Sequence, residues 1–442
     1  MWNQVDLAVA AAASVDLGVF GSGWHELMGR ICCRFGRVEP RRRAEDLVRG
    51  LASDLPIKNC WTLAEHVGAA TPDGLQHLLR KAVWDHDGVR DDLRGYVVEH
   101  LGSMGGVLVV DETGDVKKGS HTVGVQRQYT GTAGRIENAQ VAVYLTYASD
   151  RGHALIDRAL SLPESWATDA QRRRQAGVPD EVEFATKPAL AREMITRALD
   201  AGVSARWAAG DEVYGADPGL RDELERRGVG YVLAVACSHR VTTVAGALRA
   251  DTIAQRLPRR AWQRLSAGPG SKGPRYYDWA WISFPTAHAQ CPGQRWLLIR
   301  RNNTTGELAF YRCYAPKPVP LATLVGIAGR RWTIEESFQA SKGLTGLDQH
   351  QVRRWVSWQR WTVLAMLAYA YLAVLTATER ARHRPPAGLI PLTCNEIHHL
   401  FNTLIVHTTS SLEHHLRWST WRRRHQHRAQ TSHYQRRTAT QP

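Results

Sequence analysis

The spacing of apolar residues changes period along this chain, and each change predicts a different kind of structure. Over roughly the first hundred residues the spacing is helical, as in RRRAEDLVRGLA, NCWTLAEHVG and GVRDDLRGYVVEHLG. TPDGLQHLLRKAVWD opens with Thr71 as an expected cap and Pro72 at the first helical position. Two short helices split by a glycine-containing turn read either as a helix-turn-helix or as plain bundle helices. From Gly106 the pattern becomes strand-like: GVLVVDETG, SHTVGVQRQYTGTAG and AQVAVYLTYAS are separated by turn residues, as in an antiparallel meander. KPALAREMITRALDAG is then a helix with Gly202 just past its end, followed by ARWAAGDEVYG, the short helix GLRDELERRG and the strand GYVLAVA. Strands followed by alternating helix and strand predict an α/β domain with a mixed sheet.

From about residue 238 to 320 the runs YYDWAWISF, RWLLIRRN and LAFYRCYA are strands split by Gly/Pro/Asn turns such as GPGSKGP, a small β insertion. Trp279 and Trp281 point to one face of their strand, as core or as groove lining. LATLVGIAGRRWTIEESFQASKG returns the chain to helix, and the most apolar run, Val363 to Ala377, is short of the roughly 20 residues that span a bilayer. It predicts a buried helix, and no membrane partner.

Bulk composition narrows the function. The chain has 442 residues, with 57 Lys+Arg against 42 Asp+Glu, a net charge of +15, and 43% hydrophobic residues. That is a globular composition with a surplus of positive charge, which points to a polyanion, most simply nucleic acid. The charge is uneven: RWSTWRRRHQHRAQTSHYQRR, near the C-terminus, contains no acid. It and VRRWVSWQRW, which holds Arg353 and Arg354, interleave aromatic and basic residues in a way that suits DNA contact. Part of this region reads as a helix packing inward through its tryptophans, and the residues after about Thr431 as disordered without DNA. Seven cysteines without a C-x-x-C spacing argue against a zinc ribbon or a disulfide framework and fit a reducing cytosol. The first twenty residues lack a basic n-region and carry Asp6 and Asp16, unlike a signal peptide.

Three acids carry the candidate chemistry. The apolar run before Asp111 reads as a buried strand that ends on that residue, and a second short run ends on Asp211. Strands of one sheet can bring such ends together, and two buried carboxylates side by side repel unless a proton or cation sits between them. With no Cys or His at ligand spacing, hard oxygen ligation suits Mg²⁺ or Mn²⁺ rather than zinc. The third is Glu335 in RRWTIEESFQASKG, where helical spacing sets Arg331, Glu335, Phe338, Gln339 and Lys342 on one face. Glu336 lies about 100° round that helix and competes for the role.

The order strand-Asp, strand-Asp, β insertion, helix-Glu resembles the DDE transposases of bacterial insertion sequences. R-W-x-I-E-x-x-F-x-x-x-K, from Arg331 to Lys342, resembles the Tyr-Arg-Glu-Lys signature of the subgroup with a β insertion; the family tyrosine position is Ala328 here. VVDETGD, GDEVYG and GLDQHQVRRW look like the insertion sequence 701 branch. The resemblance implies a ribonuclease-H-like catalytic domain over residues 101–237 and 321–380, interrupted by the β insertion at 238–320. A helical DNA-binding domain (1–100) precedes it, and a helical region with a basic tail (381–442) follows. It implies a cut-and-paste transposase: cleavage at terminal inverted repeats with two Mg²⁺ ions, Mn²⁺ substituting, then strand transfer by the freed 3′-hydroxyl. Asp111 would bridge both ions, Asp211 hold one and Glu335 the other. Arg331 and Lys342 would neutralise phosphates beside the scissile bond, Trp332 would stack on a displaced base or pack its helix, and Arg353 and Arg354 would contact DNA. The implied setting is a homodimer on double-stranded DNA in the bacterial cytoplasm. A nuclease that cuts without rejoining, and a domesticated DNA-binding descendant, are the alternatives.

Overall fold

The computed structural model describes residues 17–243, 246–270, 273–284, 291–383, 385, 389–406 and 411–439; most of the first twenty residues, read above against a signal peptide, lie outside this set. The chain divides into two compact units, one from residues up to Val89 with Ser341–Val352 and Val356 onward, the other from Arg90–Ala340 with Arg353–Trp355.

The first unit opens with α1 (Leu17–Ile31), α2 (Val38–Leu51), α3 (Cys60–His66) and α4 (Asp73–Arg80). Asn59 closes a capping box with Thr62 at the start of α3. Thr71 does not cap α4: Pro72 occupies the cap position with a helical backbone, and the Thr71 hydroxyl donates to the Asp73 side chain. Next, α5 (His86–Leu101) leads into the second unit.

There the strands are β1 (Val107–Val116), β2 (Gln126–Thr130), β3 (Arg135–Ala148) and β4 (His153–Leu160). After α6 (Lys187–Asp200) come β5 (Trp207–Gly210), α7 (Glu212–Gly215), α8 (Pro218–Arg226) and β6 (Gly230–Val235). A two-stranded hairpin of β7 (Arg240–Thr243) and β8 (Gly246–Arg249) precedes β9 (Gln263–Gly270), β10 (Gly273–Ser283), β11 (Gln294–Arg301) and β12 (Leu308–Ala315). The unit continues into α9 (Leu321–Arg330) and α10 (Trp332–Thr345).

Among the described residues these strands make one ten-stranded sheet, ordered β2-β3-β1-β5-β6-β12-β11-β10-β9 with β4 also on β3. β1 runs parallel to β5, and β5 to β6; the other pairings are antiparallel. The architecture is therefore mixed α/β with one large sheet. The expected meander is not formed, because β2 pairs with β3 and not with β1. β3 has an uninterrupted run of ten buried residues, long enough to cover all ten positions of β1, whereas β2 has five residues of which one is buried. Among the described residues, β7 and β8 of the expected insertion pair only with each other, whereas β9 to β12 do not form a sheet of their own. β12 pairs with β6 through Phe310↔Val235 to Tyr314↔Tyr231, so they extend the main sheet, with a core of their own around Val241, Ile253, Phe284, Leu297 and Ile299.

The first unit is completed by α11 (Trp355–Arg382), α12 (Cys394–Leu404) and α13 (Leu412–Ala439). α11 is long and apolar enough to cross a membrane, yet 83% of its most apolar 18 residues are buried inside the protein. Tyr371 on it donates to the carbonyl of Phe20 and packs edge-on to Trp24, while Arg360 lies over the Trp84 ring. Trp418 and Trp421 turn α13 onto the first unit: Trp418 donates to the Ala69 carbonyl and Trp421 packs on Trp61. Contrary to the disorder expected after Thr431, this helix continues to Ala439.

Candidate active site

β1 does not stop at Asp111 as its sequence suggests; it continues to Val116, paired with β3 throughout. What stops is the parallel ladder with β5, whose last pair is Val110↔Gly210. Asp111 and Asp211 are the next residues on the two strands, so both acids sit just past the end of the same ladder. The chain leaves the sheet at Asp211, which caps α7 by accepting the Val213 N–H at 2.9 Å. That turn is pressed tightly onto the sheet: a Cβ on Gly215 would lie 1.8 Å from the carbonyl oxygen of Ala234 on β6.

Crowding of these acids shows in their protonation. Burial, then the Asp211 charge, pushes the Asp111 carboxyl up to about 7, against the opposing Glu112 N–H and the more distant Arg331. Asp211 is raised as well, by burial and then by Glu112. Glu112 itself is held by two donors, the Lys187 ammonium and the Tyr214 hydroxyl, each at 2.6 Å.

The third acid arrives on α10. Arg331 is the turn residue between α9 and α10, and its guanidinium donates to Glu335 at 2.8 Å while lying 3.6 Å from Asp111. One arginine thus joins the third acid to the first. α9 can approach because of Gly329, where a Cβ would be 1.8 Å from the Ala267 carbonyl on β9. Glu336, the competing acid, is turned toward His153 instead, with Nε2 at 3.3 Å from its carboxylate. Phe338 packs edge-on against Tyr144, the β3 partner of Asp111.

Beside the acids lies a cavity of about 1020 Å³, lined among others by Asp211, Arg331, Trp332, Tyr277, Arg300 and Trp279. Trp332 is 47% exposed, so its ring is not core. Trp279 is buried to 1% and donates to the Leu265 carbonyl, while Trp281 stacks on Trp296. Arg353 and Arg354 are exposed in the second unit, and the Arg353 carbonyl accepts the Val123 N–H. Lys342 is half-buried, seven residues beyond Glu335 on the same helix, and is grouped with the first unit.

Sequence reasoning did not single out Tyr214, Lys187, His153 or Arg300. Tyr214 stands inside GDEVYG, so proximity to Asp211 was a usable signal; the others reach the site from distant segments and give none. The three acids offer only carboxylate oxygens, and the half-buried Asp111 and Asp211 repel each other. A hard divalent cation such as Mg²⁺ or Mn²⁺ fits that donor set and relieves that repulsion.

Comparison with known proteins gives three findings. The family described as DDE superfamily endonuclease matches residues 30–272, a span that includes Asp111 and Asp211 and ends before Glu335. A probable transposase for insertion sequence element IS701 from Microchaete diplosiphon is 30% identical over 194 residues, covering 43% of this chain and 48% of that protein. The chain therefore matches about half the length of that relative. A cryo-EM structure of a piggyBac transposase synaptic complex with hairpin DNA aligns over 89% of this chain and 80% of that one, with 10% identity and a TM-score of 0.41.

Proposed function

Since this chain belongs to the DDE superfamily of endonucleases, we propose that it is a cut-and-paste DNA transposase. It would cleave DNA at terminal inverted repeats and join the freed 3′-hydroxyl to target DNA. The observation that carries this reading is the emergence of Asp111 and Asp211 from one parallel ladder, with Arg331 reaching from Asp111 to Glu335. Reading the half-sheet β4-β3-β1-β5-β6 as ribonuclease-H-like is supported by its order and by its parallel β1, β5 and β6.

Asp111, Asp211 and Glu335 are assigned to hold two Mg²⁺ ions, Mn²⁺ substituting, which supply activation of the attacking oxygen and support of the leaving oxygen. Asp111, which interacts both with Asp211 and with the arginine of Glu335, would be the ligand common to both ions. Set on a sheet, it is held rigidly relative to Asp211. Arg331 and Lys342 neutralise phosphates beside the scissile bond, and Arg353 and Arg354 contact the duplex backbone. Trp332, exposed at the cavity, stacks on a displaced base.

The functional segments are taken as 1–100 for DNA binding, 101–237 with 321–380 for catalysis, 238–320 as a β-strand insertion and 381–442 as a basic helical region. Joining two ends at once calls for a homodimer on DNA.

The test is cleavage of a labelled duplex carrying the element's own end, with Mg²⁺, by wild type and Glu335→Gln. Metal-dependent cutting that the variant loses while still binding DNA is the expected result. Binding without cutting, in Mn²⁺ as in Mg²⁺, overturns the enzymatic reading. Cutting by the variant moves the third role to Glu336.

A further inference from the structure

Each of the three acids has an acidic neighbour in the chain: Asp111-Glu112, Asp211-Glu212 and Glu335-Glu336. A metal centre built at such pairs needs a means of excluding the wrong carboxylate, because every added anion draws the cation off its working position. In two of the three pairs the neighbour is tied to other side chains. Glu112 accepts from Lys187 and Tyr214, both at 2.6 Å. Lys187 is the first residue of α6, where the helix dipole disfavours a cation, so its placement makes sense through the carboxylate it faces. Glu336 is paired with Nε2 of His153, while Nδ1 of the same ring is 2.8 Å from the hydroxyl of Ser337. Ser337 in turn donates to the Thr333 carbonyl, so a ring from β4 grips two consecutive residues of α10 and fixes that helix's rotation. Glu336 also lines the cavity shared with Asp211 and Arg331, so freed from His153 it faces the same space.

We propose that His153, and Lys187 together with Tyr214, are positioning residues that hold Glu336 and Glu112 out of the metal centre. This rests on the metal-dependent nuclease reading above. Removing either tether frees a surplus carboxylate, which competes for the ions and pulls them from the geometry set by Asp111, Asp211 and Glu335. Metal affinity is then kept or raised while cleavage falls, a split that simple loss of packing does not produce.

The test uses the full chain and two readouts, Mn²⁺ binding followed by electron paramagnetic resonance and cleavage of the duplex at saturating DNA. Glu336→Gln alone is expected to stay within about twofold of wild type in both. His153→Ala is expected to bind Mn²⁺ at least as tightly as wild type and to cleave about tenfold more slowly. Adding Glu336→Gln to it restores cleavage to within about threefold, a coupling that a double-mutant cycle reads directly. Lys187→Ala with and without Glu112→Gln repeats the cycle on the other tether, and His153→Gln, which keeps one donor, stands in if the alanine variant unfolds. Weaker Mn²⁺ binding by His153→Ala with no rescue, or unchanged cleavage, overturns the inference and leaves the nuclease reading standing. Wild type that binds no Mn²⁺ in a manner dependent on Asp111 overturns both.

Discussion

The two halves of the large sheet treat charge in opposite ways. In the half built on β1, β5 and β6, carboxylates are crowded: Asp111 and Asp211 leave one ladder together, and burial keeps both above the ordinary carboxylate range. In the half built on β9 to β12, arginines are spread over aromatic rings. Arg300 lies over Tyr277, Arg301 over Trp262, Arg295 over Tyr314 and Arg312 over Phe284, at 4.2 to 5.0 Å. A guanidinium over a ring keeps its charge while giving up little to hydration; Arg295 and Arg301 are also paired with carboxylates, those of Glu225 and Asp278. The pairing of β6 with β12 joins the halves into one plate, and Arg331 reaches both Asp111 and Glu335. Under the proposed function, one half concentrates negative charge where metal and chemistry would act, and the other would supply positive charge for grip.

Four measurements bear on that contrast, the largest effect first. Glu335→Gln strikes the chemical half alone and is expected to slow cleavage by about 10³-fold with DNA affinity unchanged, read by cleavage and anisotropy assays on the same preparation. Gly215→Ala and Gly329→Ala force a Cβ against backbone oxygen in the acidic and the arginine half respectively, each 1.8 Å away. Each is expected to destabilise by about 1–3 kcal/mol in denaturant titration, with Gly215→Ala also weakening Mn²⁺ binding because the Asp211 turn must shift.

Third, Asp111 carries a carboxyl raised to about 7, so the folded metal-free protein holds that proton more tightly than the unfolded chain does. The contribution is fully present below the ordinary carboxylate pKa and lost as pH rises through about 7. Metal-free protein should therefore lose about 2 kcal/mol of stability between pH 5 and pH 8, and Asp111→Asn should flatten that slope. A profile that is equally steep in the variant would remove Asp111 from the account. Last, Arg300→Ala is expected to weaken duplex binding about threefold and to lower the salt dependence, leaving the single-turnover rate at saturating DNA unchanged.

Much of the layout was legible because it is local. The shift from helical to alternating spacing near Gly106 marks where the sheet begins, and the acids that follow the two apolar runs are the residues found side by side. Ladder register was not legible. Nothing in VLVVDETGD distinguishes a strand that ends on Asp111 from one that loses a single neighbour there and continues to Val116. The meander failed for a related reason: β2 follows β1 in the chain, but only β3 is long and apolar enough to cover β1. Glu335 and Glu336 could be separated by angle but not by partner, since His153 comes from a strand 182 residues earlier than Glu335. Long-range partners of this kind leave no local trace.

The division of the chain into two units sets an order of events during synthesis. One unit, Arg90–Ala340 with Arg353–Trp355, is nearly continuous and sits between the segments that make the other. Its main stretch, Arg90–Ala340, emerges from the ribosome before α11, α12 and α13 do, so it can fold first. The helices before Val89 must meanwhile wait for partners encoded after residue 340, among them Tyr371, which donates to the Phe20 carbonyl and packs on Trp24. α11 then emerges as the most apolar stretch of the molecule and must find its place among helices made several hundred residues earlier. The same helix that completes the first unit is thus the segment at which a slowed or truncated translation would leave the protein most prone to aggregate.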